Sequence, residues 1–243
     1  MPGPGAPLSG PLSFDAYRAL LDPYYLSVLA RTLRIAGSTT ILCLVLGYPL
    51  ALSLSRARGR ARTLRLLLIV SPLFVSVVVR SYGWVLLLGN RGVVNGLLVR
   101  SGLIDEPLRL LYTETAVVIA LVEALLPFMA LSIAAVLDRI GPELPLAARG
   151  LGATPFGAFV HVTLPLSLPG ASSGALVVFM VSLGSYATPA LLGGSRVRVI
   201  VTEIYTQATS LFDWPLAAAM SLALLVVALL VVALTSRRRK EYA

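Results

Sequence analysis

The sequence predicts an all-α protein that crosses a membrane several times. Hydrophobic residues make up 57% of the 243 and charged residues only 13%, and the mean hydropathy is +0.88. Soluble domains average roughly 45–50% apolar and about 25% charged residues. Five apolar runs are each long enough to span a bilayer as a helix, which takes about 20 residues. We place these spans at residues 33–55, 64–88, 116–137, 171–192 and 216–235.

The links between the runs predict the orientation. Residues 56–65 carry five arginines and no acidic residue, so the positive-inside rule places this link in the cytoplasm. Alternation then puts 89–115 and 193–215 outside, and 138–170 inside. The basic tail independently agrees with this orientation. We therefore divide the chain into a flexible extracytoplasmic segment 1–30, a transmembrane domain 31–236 and a cytoplasmic tail 237–243.

Four prolines lie within or near the predicted spans. They are Pro49, Pro72, Pro127 and Pro189. A proline break frees backbone carbonyls, which lipid cannot satisfy but neighbouring helices or a cavity can. Each break therefore indicates either close helix packing or the lining of a pathway.

Composition argues against two other classes of protein. All but one of the 20 basic residues are arginine, and they gather at the ends of apolar runs. This pattern favours membrane topology over nucleic-acid binding as the explanation of the net charge of +9. The single Cys43 and the single His161 cannot form a His/Cys metal cage, and Cys43 has no partner for an internal disulfide. We expect no metal and no nucleic acid.

The link 138–170 is the one long amphipathic stretch, and its turn residues predict two short helices. Gly152 suits the position just past a helix end, and Thr154-Pro155 suits an N-cap and first helical residue. Three apolar side chains then share one helical face: Phe156, Phe159 and Val160. The hairpin either rests on lipid headgroups or docks a soluble partner.

Two ionisable residues lie inside predicted spans, where charge is costly and often functional. Arg80 could face a substrate pathway, or it could satisfy carbonyls near a broken helix. Glu123 could face the same pathway, or it could make an interhelical hydrogen bond or pair with Arg80. Glu123 would suit a cationic ligand and Arg80 an anionic one. The aromatic residues Tyr82, Trp84 and Tyr186 could add cation–π contacts or anchor the protein at the membrane interface.

The middle link resembles the Glu-Ala-Ala signature of ABC-importer permeases. Ala147-Ala148 is followed after three residues by Gly152, and after nine more by Val162, Thr163 and Leu164-Pro165. Leu146 stands where the signature has Glu, and Val162 where it has Ile. Further strings resemble the spermidine/putrescine-type branch of these permeases: 20–26, 46–51, 79–84, 126–129 and 188–194.

This resemblance implies a fold and a set of partners. The expected fold is the five-helix core of an ABC type I importer permease, apparently without the family's usual N-terminal sixth helix. The expected partners are a second homologous permease in a heterodimer, two cytoplasmic ATPase subunits and an extracytoplasmic binding protein. Glu203 and Asp213 in the last outer link either contact that binding protein or are solvated. The expected location is the plasma membrane of a prokaryote, the inner membrane in a Gram-negative cell.

The resemblance also assigns the middle link as the ATPase-docking coupling loop. The ATP and Mg are expected in the partner ATPase, because this sequence has no Gly-x-x-x-x-Gly-Lys-Ser/Thr loop and is not itself the enzyme. The residues that match or flank the signature are Ala147, Ala148, Arg149, Gly152, Thr154, Pro155, Phe156, Phe159, Val162, Leu164 and Pro165.

The expected function is ATP-driven uptake of polyamines, spermidine or putrescine, or of a related small solute. Iron complexes, opines and oxyanions are alternative substrates, since similar permeases carry them. A secondary transporter that uses Glu123 as an ion relay is a further alternative. It predicts an internal repeat, which the sequence does not show. A membrane enzyme would need more polar catalytic groups than His161.

Overall fold

The described residues form helices joined by short links, with no strand among them. The computed structural model describes residues 15–141 and 143–240, with side chains for 16–141 and 143–235. The α-helices of this part are α1 (Asp15–Ala19), α2 (Pro23–Arg56), α3 (Gly59–Val70), α4 (Val77–Leu88), α5 (Val93–Arg100), α6 (Glu114–Leu137), α7 (Glu143–Gly150), α8 (Pro155–Ala158), α9 (Leu164–Leu183), α10 (Ile200–Thr209) and α11 (Trp214–Lys240). The predicted all-α membrane fold is confirmed.

The centre of the fold is a three-helix core of α2, α6 and α9. Helix α6 is apolar on nearly every side and buried along most of its length, as expected of a helix surrounded by others. Glycines bring the three backbones together. A Cβ on Gly47 of α2 would lie 2.9 Å from the Met129 side chain of α6, and one on Gly170 of α9 would lie 2.9 Å from the Ser132 carbonyl oxygen.

Four helices or continuous helical segments are long and apolar enough to cross a membrane, and a bent pair forms a fifth candidate span. The third and fifth predicted spans lie within two residues of the membrane candidates Glu114–Leu137 and Trp214–Thr235. The backbone of α11 continues to Lys240. The tail beyond Lys240 and the segment before Asp15, where we predict a flexible N-terminus, lie outside the described residues.

The first spanning helix begins ten residues before the predicted start at 33. Its first residue is Pro23, and Asp22 caps it by accepting a 2.8 Å hydrogen bond from the Tyr24 N–H. Proline at the first helical position and aspartate at the N-cap both favour a helix start. Residues 23–30 are therefore helical, which differs from the flexible segment expected for 1–30.

The second predicted span, 64–88, is sharply broken at Pro72. A 3₁₀ turn, Ser71–Phe74, follows α3, and the segments Gly59–Phe74 and Val77–Arg100 meet at 93°. Pro72 has no N–H to bond the Leu68 carbonyl. The Ser71 hydroxyl donates to that oxygen instead, at 3.0 Å. The other predicted breaks behave differently, because Pro49 and Pro127 lie within the continuous helices α2 and α6.

The fourth spanning helix is displaced toward the N-terminus relative to the predicted 171–192. Helix α9 runs from Leu164 to Leu183 and is continuous with α8 through a π-helical turn, Phe159–Thr163. Residues 164–170, which we assigned to the link 138–170, thus belong to this helix. Gly184 ends α9, and a separate π-helical turn at Pro189–Gly193 covers the end of the predicted span.

Candidate functional site

The link between α6 and α9 folds as the predicted helical hairpin, here called the hairpin (Glu143–Thr163). Helix α7 ends at Gly150, and the turn that follows holds Gly152 at φ +95°. Thr154 caps α8 by accepting a 3.0 Å hydrogen bond from the Gly157 N–H. Both features follow from the sequence, because glycine tolerates positive φ and threonine satisfies a free N–H at a helix start.

The tip of the hairpin presents large apolar side chains away from the core. Leu151 is 91% exposed, Phe156 is 74% exposed and Leu146 is 59% exposed. Of the other signature residues, Ala147, Arg149, Gly152, Thr154, Pro155 and Pro165 are exposed, while Ala148, Phe159, Val162 and Leu164 are half-buried. Leu151 and Phe156, here called the knob, are large apolar side chains left open to the surroundings, and such exposure indicates a surface that another molecule covers.

Phe159 points inward, although the sequence predicts that it shares a face with Phe156. Its ring packs edge-on against Tyr48 of α2, with the ring centroids 5.7 Å apart. The backbone changes from α-helical to π-helical at Phe159, which alters the angle between successive side chains. The Tyr48 hydroxyl is also 2.6 Å from the Ser167 hydroxyl of α9. Tyr48 thus joins the hairpin to two helices of the core.

Arg80 and Glu123 form an ion pair beside the broken helix. Arg80 Nε lies 3.0 Å from Glu123 Oε2, and Arg80 Nη1 donates a 2.9 Å hydrogen bond to the Pro72 carbonyl oxygen. Trp84 Nε1 lies 3.5 Å from the same Glu123 oxygen. Both structural alternatives for these residues are therefore seen: Arg80 bonds a backbone carbonyl at the break, and Glu123 pairs with Arg80.

This ion pair borders a cleft of about 550 Å³ between α4, α6, α9 and the break. The wall contains Arg80, Phe74, Phe128 and Thr188, and Phe74 is 85% exposed. An ion pair beside a partly apolar cleft can exchange partners with a charged solute more readily than a fully enclosed pair can.

Two of the five predicted pathway residues do not contact the cluster of Arg80, Trp84 and Glu123. Tyr82 is two residues from Arg80 and from Trp84 on α4, which places it on the other side of that helix, and it is 55% exposed. Tyr186 packs against Tyr205, with ring centroids 4.7 Å apart. Neither residue lines the cleft. The structure therefore brings together Arg80, Trp84 and Glu123 only.

Glu203 lies in the interior, which argues against a contact with an external partner. It is 2% exposed, and its Oε1 accepts hydrogen bonds from Arg198 at 3.0 Å and from the Tyr24 hydroxyl at 2.7 Å. The carboxylate raises the pKa of the Arg198 guanidinium above its ordinary value. Asp213 instead accepts a 3.1 Å hydrogen bond from the Leu216 N–H at the start of α11. Both residues hold helix ends in place.

Tyr48, Ser167 and the Glu203 cluster are not predicted from the sequence. The signal for Tyr48 is its position in Gly47-Tyr48-Pro49, where glycine allows close packing and tyrosine has a hydroxyl that must find a partner. His161 is exposed, and its Nδ1 lies 2.9 Å from the Gly157 carbonyl oxygen. Within the described residues, no group of three or more His, Cys, Asp or Glu could hold a metal ion.

Comparison with known proteins finds relatives that are all named as permease proteins of transport systems. The chain is 36% identical over 230 residues to the spermidine/putrescine transport system permease protein PotB of Haemophilus influenzae, covering 95% of this chain and 80% of that protein. It is 37% identical over 215 residues to PotB of Escherichia coli, covering 88% and 78%. It is 35% identical over 217 residues to the molybdenum transport system permease protein ModB of Mycobacterium bovis, covering 88% and 79%.

Solved structures share the fold. A bacterial ABC transporter involved in the import of the acidic polysaccharide alginate superposes with a TM-score of 0.80 at 22% identity, covering 96% of this chain and 85% of the other. A complex of the alginate transporter with a pentasaccharide-bound periplasmic protein gives 0.76 at 20% identity, covering 95% and 84%. Residues 43–240 also match the family described as the binding-protein-dependent transport system inner membrane component. The chain belongs to this family of ABC-importer permeases.

Proposed function

We propose that this permease works with a separate ATPase, a second permease and an external binding protein to import a polyamine. The observation that carries the proposal is the exposed apolar knob of the hairpin, which is built on a helix continuous with the spanning helix α9. A partner bound to the knob can therefore move α9. The partner ATPase dimer binds ATP and Mg, and closing of that dimer displaces the hairpin and alternates access to the pathway.

The charges around the hairpin support a cytoplasmic position for it. Arg62, in the arginine-rich link that the positive-inside rule assigns to the cytoplasm, forms an ion pair with Asp138 at the end of α6. The two links therefore lie on the same side of the membrane. Alternation through α9 and α11 supports a cytoplasmic C-terminus as well.

The face around the break supports a second permease subunit. Phe74 is 85% exposed, Leu86 is 75% exposed and Val79 is 64% exposed. Phe74 lines the cleft that Arg80 borders, and Val79 and Leu86 lie on α4, the helix that carries Arg80. A similar permease placed against this face would close the cleft into a pathway between the two subunits.

Two observations support a polyamine as the substrate. The PotB relatives are named for spermidine and putrescine transport, and Glu123, with Trp84 beside it, pairs with Arg80 of the cleft wall. An ammonium group of the polyamine takes the place of Arg80 on the Glu123 carboxylate, and Trp84 adds a cation–π surface. Arg80 and the ModB relative favour one second candidate, an oxyanion bound by the freed guanidinium.

The test is ATP-driven uptake of labelled spermidine by the complete importer in proteoliposomes. Glu123→Gln removes the carboxylate, and we expect about a tenfold loss of uptake, equivalent to about 1.4 kcal/mol of lost interaction. The matched control is Glu114→Gln. Glu114 also lies on α6 and also pairs with arginine, with Arg31 at 3.1 Å and Arg34 at 2.8 Å, but it is at the helix start, away from the cleft.

The outcomes separate the parts of the proposal. Wild-type uptake of spermidine that requires ATP and the ATPase supports the importer and the substrate. ATP-dependent uptake of molybdate but not spermidine assigns the oxyanion instead. Uptake that follows an ion gradient without any ATPase contradicts the importer mechanism.

A further inference from the structure

A second, larger cleft lies between the hairpin and the ends of α2 and α6. Its volume is about 770 Å³. Four arginines contribute to the wall: Arg56 at the end of α2, Arg58 and Arg62 near the start of α3, and Arg149 on the hairpin. Asp138 is the one acidic residue among the described residues of the wall.

The cleft carries uncompensated positive charge. Arg62 pairs with Asp138, and no ion pair among the described residues involves Arg56, Arg58 or Arg149. Four guanidinium groups and one carboxylate thus leave three positive charges. Glu143 lies next to Gly141 at the rim, but it pairs with none of these arginines.

Most of the rest of the wall is apolar. Leu52 and Leu137 come from the last turns of two spanning helices, and Leu146 comes from the hairpin. Helix α3, which leads away from the cleft, has no buried residue, and its Leu64 and Leu67 are each 60% exposed. An acyl chain can therefore run along α3 while a headgroup occupies the cleft.

We propose that this cleft binds the headgroup of an anionic phospholipid. A guanidinium group pairs with a phosphate through parallel N–H bonds, and basic pockets between helix ends on the cytoplasmic side are suited to anionic lipids. The positive-inside rule accounts for the arginines of 56–65. It does not account for Arg149, which comes from a charge-balanced link and points into the same cleft.

Leu146 contributes to the selectivity of this cleft for anions. It stands on the wall, where a glutamate would add a negative charge to the cleft. Leucine leaves the positive charge intact and adds apolar surface for the glycerol region of a lipid. The proposal depends on the chain lying in a membrane and does not depend on its substrate.

The test is native mass spectrometry of the full chain, purified in mild neutral detergent with the subunits that remain bound to it. Phosphatidylglycerol and phosphatidylcholine are added at equal concentrations. We expect wild type to prefer phosphatidylglycerol. Arg58→Gln and Leu146→Glu should each lower that preference about fivefold, because each basic residue near an anionic lipid contributes about that factor.

Two control variants make the same changes outside the cleft. Arg100→Gln removes an exposed arginine at the end of α5, and Leu144→Glu adds a carboxylate to α7 at a residue that does not line the cleft. We expect both to keep the wild-type preference. Thermal unfolding of all four variants shows whether each remains folded.

Four outcomes would overturn the proposal. Wild type shows no preference for phosphatidylglycerol, or the cleft variants behave like their controls. Inorganic phosphate displaces the lipid at equal concentration, which assigns a free-anion site instead. Alternatively, the preference is present only after the ATPase subunits are removed, which assigns the cleft to a contact with those subunits.

Discussion

Gly152 holds the turn of the hairpin at φ +95°, a backbone angle that residues with a Cβ rarely adopt. No atom lies within 4 Å of the position that a Cβ would occupy, so a substitution there acts through backbone strain alone. We expect Gly152→Val to cost about 1–2 kcal/mol locally, to displace the tip of the hairpin and to reduce uptake while membrane insertion stays normal. Uptake in proteoliposomes and the amount of protein in the membrane check this.

Gly150→Val is the matched control for Gly152→Val. Gly150 lies in the same hairpin and also has open space around it, but it has a helical backbone without positive φ. We expect near-normal uptake from this variant. Equal losses in the two variants would contradict the assignment of the effect to the turn.

The residues beside the break at Pro72 show what sequence reasoning can and cannot provide. Arg80 and Glu123 are identifiable as charges inside apolar runs, because such charges need a partner or a function. Their 3.0 Å contact depends on how α4 is turned after the break at Pro72, which is a tertiary property. The spacing of Arg80, Tyr82 and Trp84 could have separated Tyr82 from the other two once α4 was known to be helical.

At the scale of elements, composition locates the spans better than it locates their ends. The third and fifth spans follow from their apolar runs. The first begins earlier because Asp22-Pro23 is a helix start that hydropathy does not detect. Proline is an ambiguous signal for the end of a helix, because Pro49 and Pro127 lie within helices while Pro72 lies where one ends. The presence of a proline alone therefore does not predict whether a helix breaks.

Tyr48 is the element-scale link between the hairpin and the core. Tyr48→Phe removes the 2.6 Å hydrogen bond with Ser167, and we expect it to lower the free energy of unfolding by about 1 kcal/mol. Tyr48→Leu also removes the edge-on ring contact with Phe159, at a further cost of about 1 kcal/mol. Tyr48→Leu should also consume more ATP per substrate imported, because the hairpin holds α2 less firmly.

Thermal unfolding in detergent and the ratio of ATP hydrolysed to substrate imported measure these effects. Tyr82→Phe is the control, since it removes a hydroxyl from a ring that is 55% exposed. The role of Tyr48 as a link between the hairpin and the core is contradicted if Tyr48→Leu is as stable as that control and uses no more ATP per substrate imported.

At the scale of the whole molecule, the buried core and the exposed surfaces have separate roles. The packing of α2, α6 and α9 follows from glycines and an apolar α6. The hairpin knob and the face around Phe74 remain exposed in the single chain. The sequence predicts the knob from its turn residues and its resemblance to a known signature. It does not predict the second cleft, because Arg56, Arg58 and Arg149 meet only in three dimensions.

Cysteine crosslinking tests the central claim, that the hairpin docks an ATPase, most directly. Cys43 is the only cysteine of the chain and is fully buried, so Phe156→Cys introduces a single exposed thiol at the knob. With a short bifunctional reagent in native membranes, we expect Phe156→Cys to crosslink to the ATPase subunit. Leu103→Cys, at a residue 73% exposed in the link expected outside, should not. Absence of an ATPase crosslink from Phe156→Cys, or an equal yield from Leu103→Cys, would contradict the account.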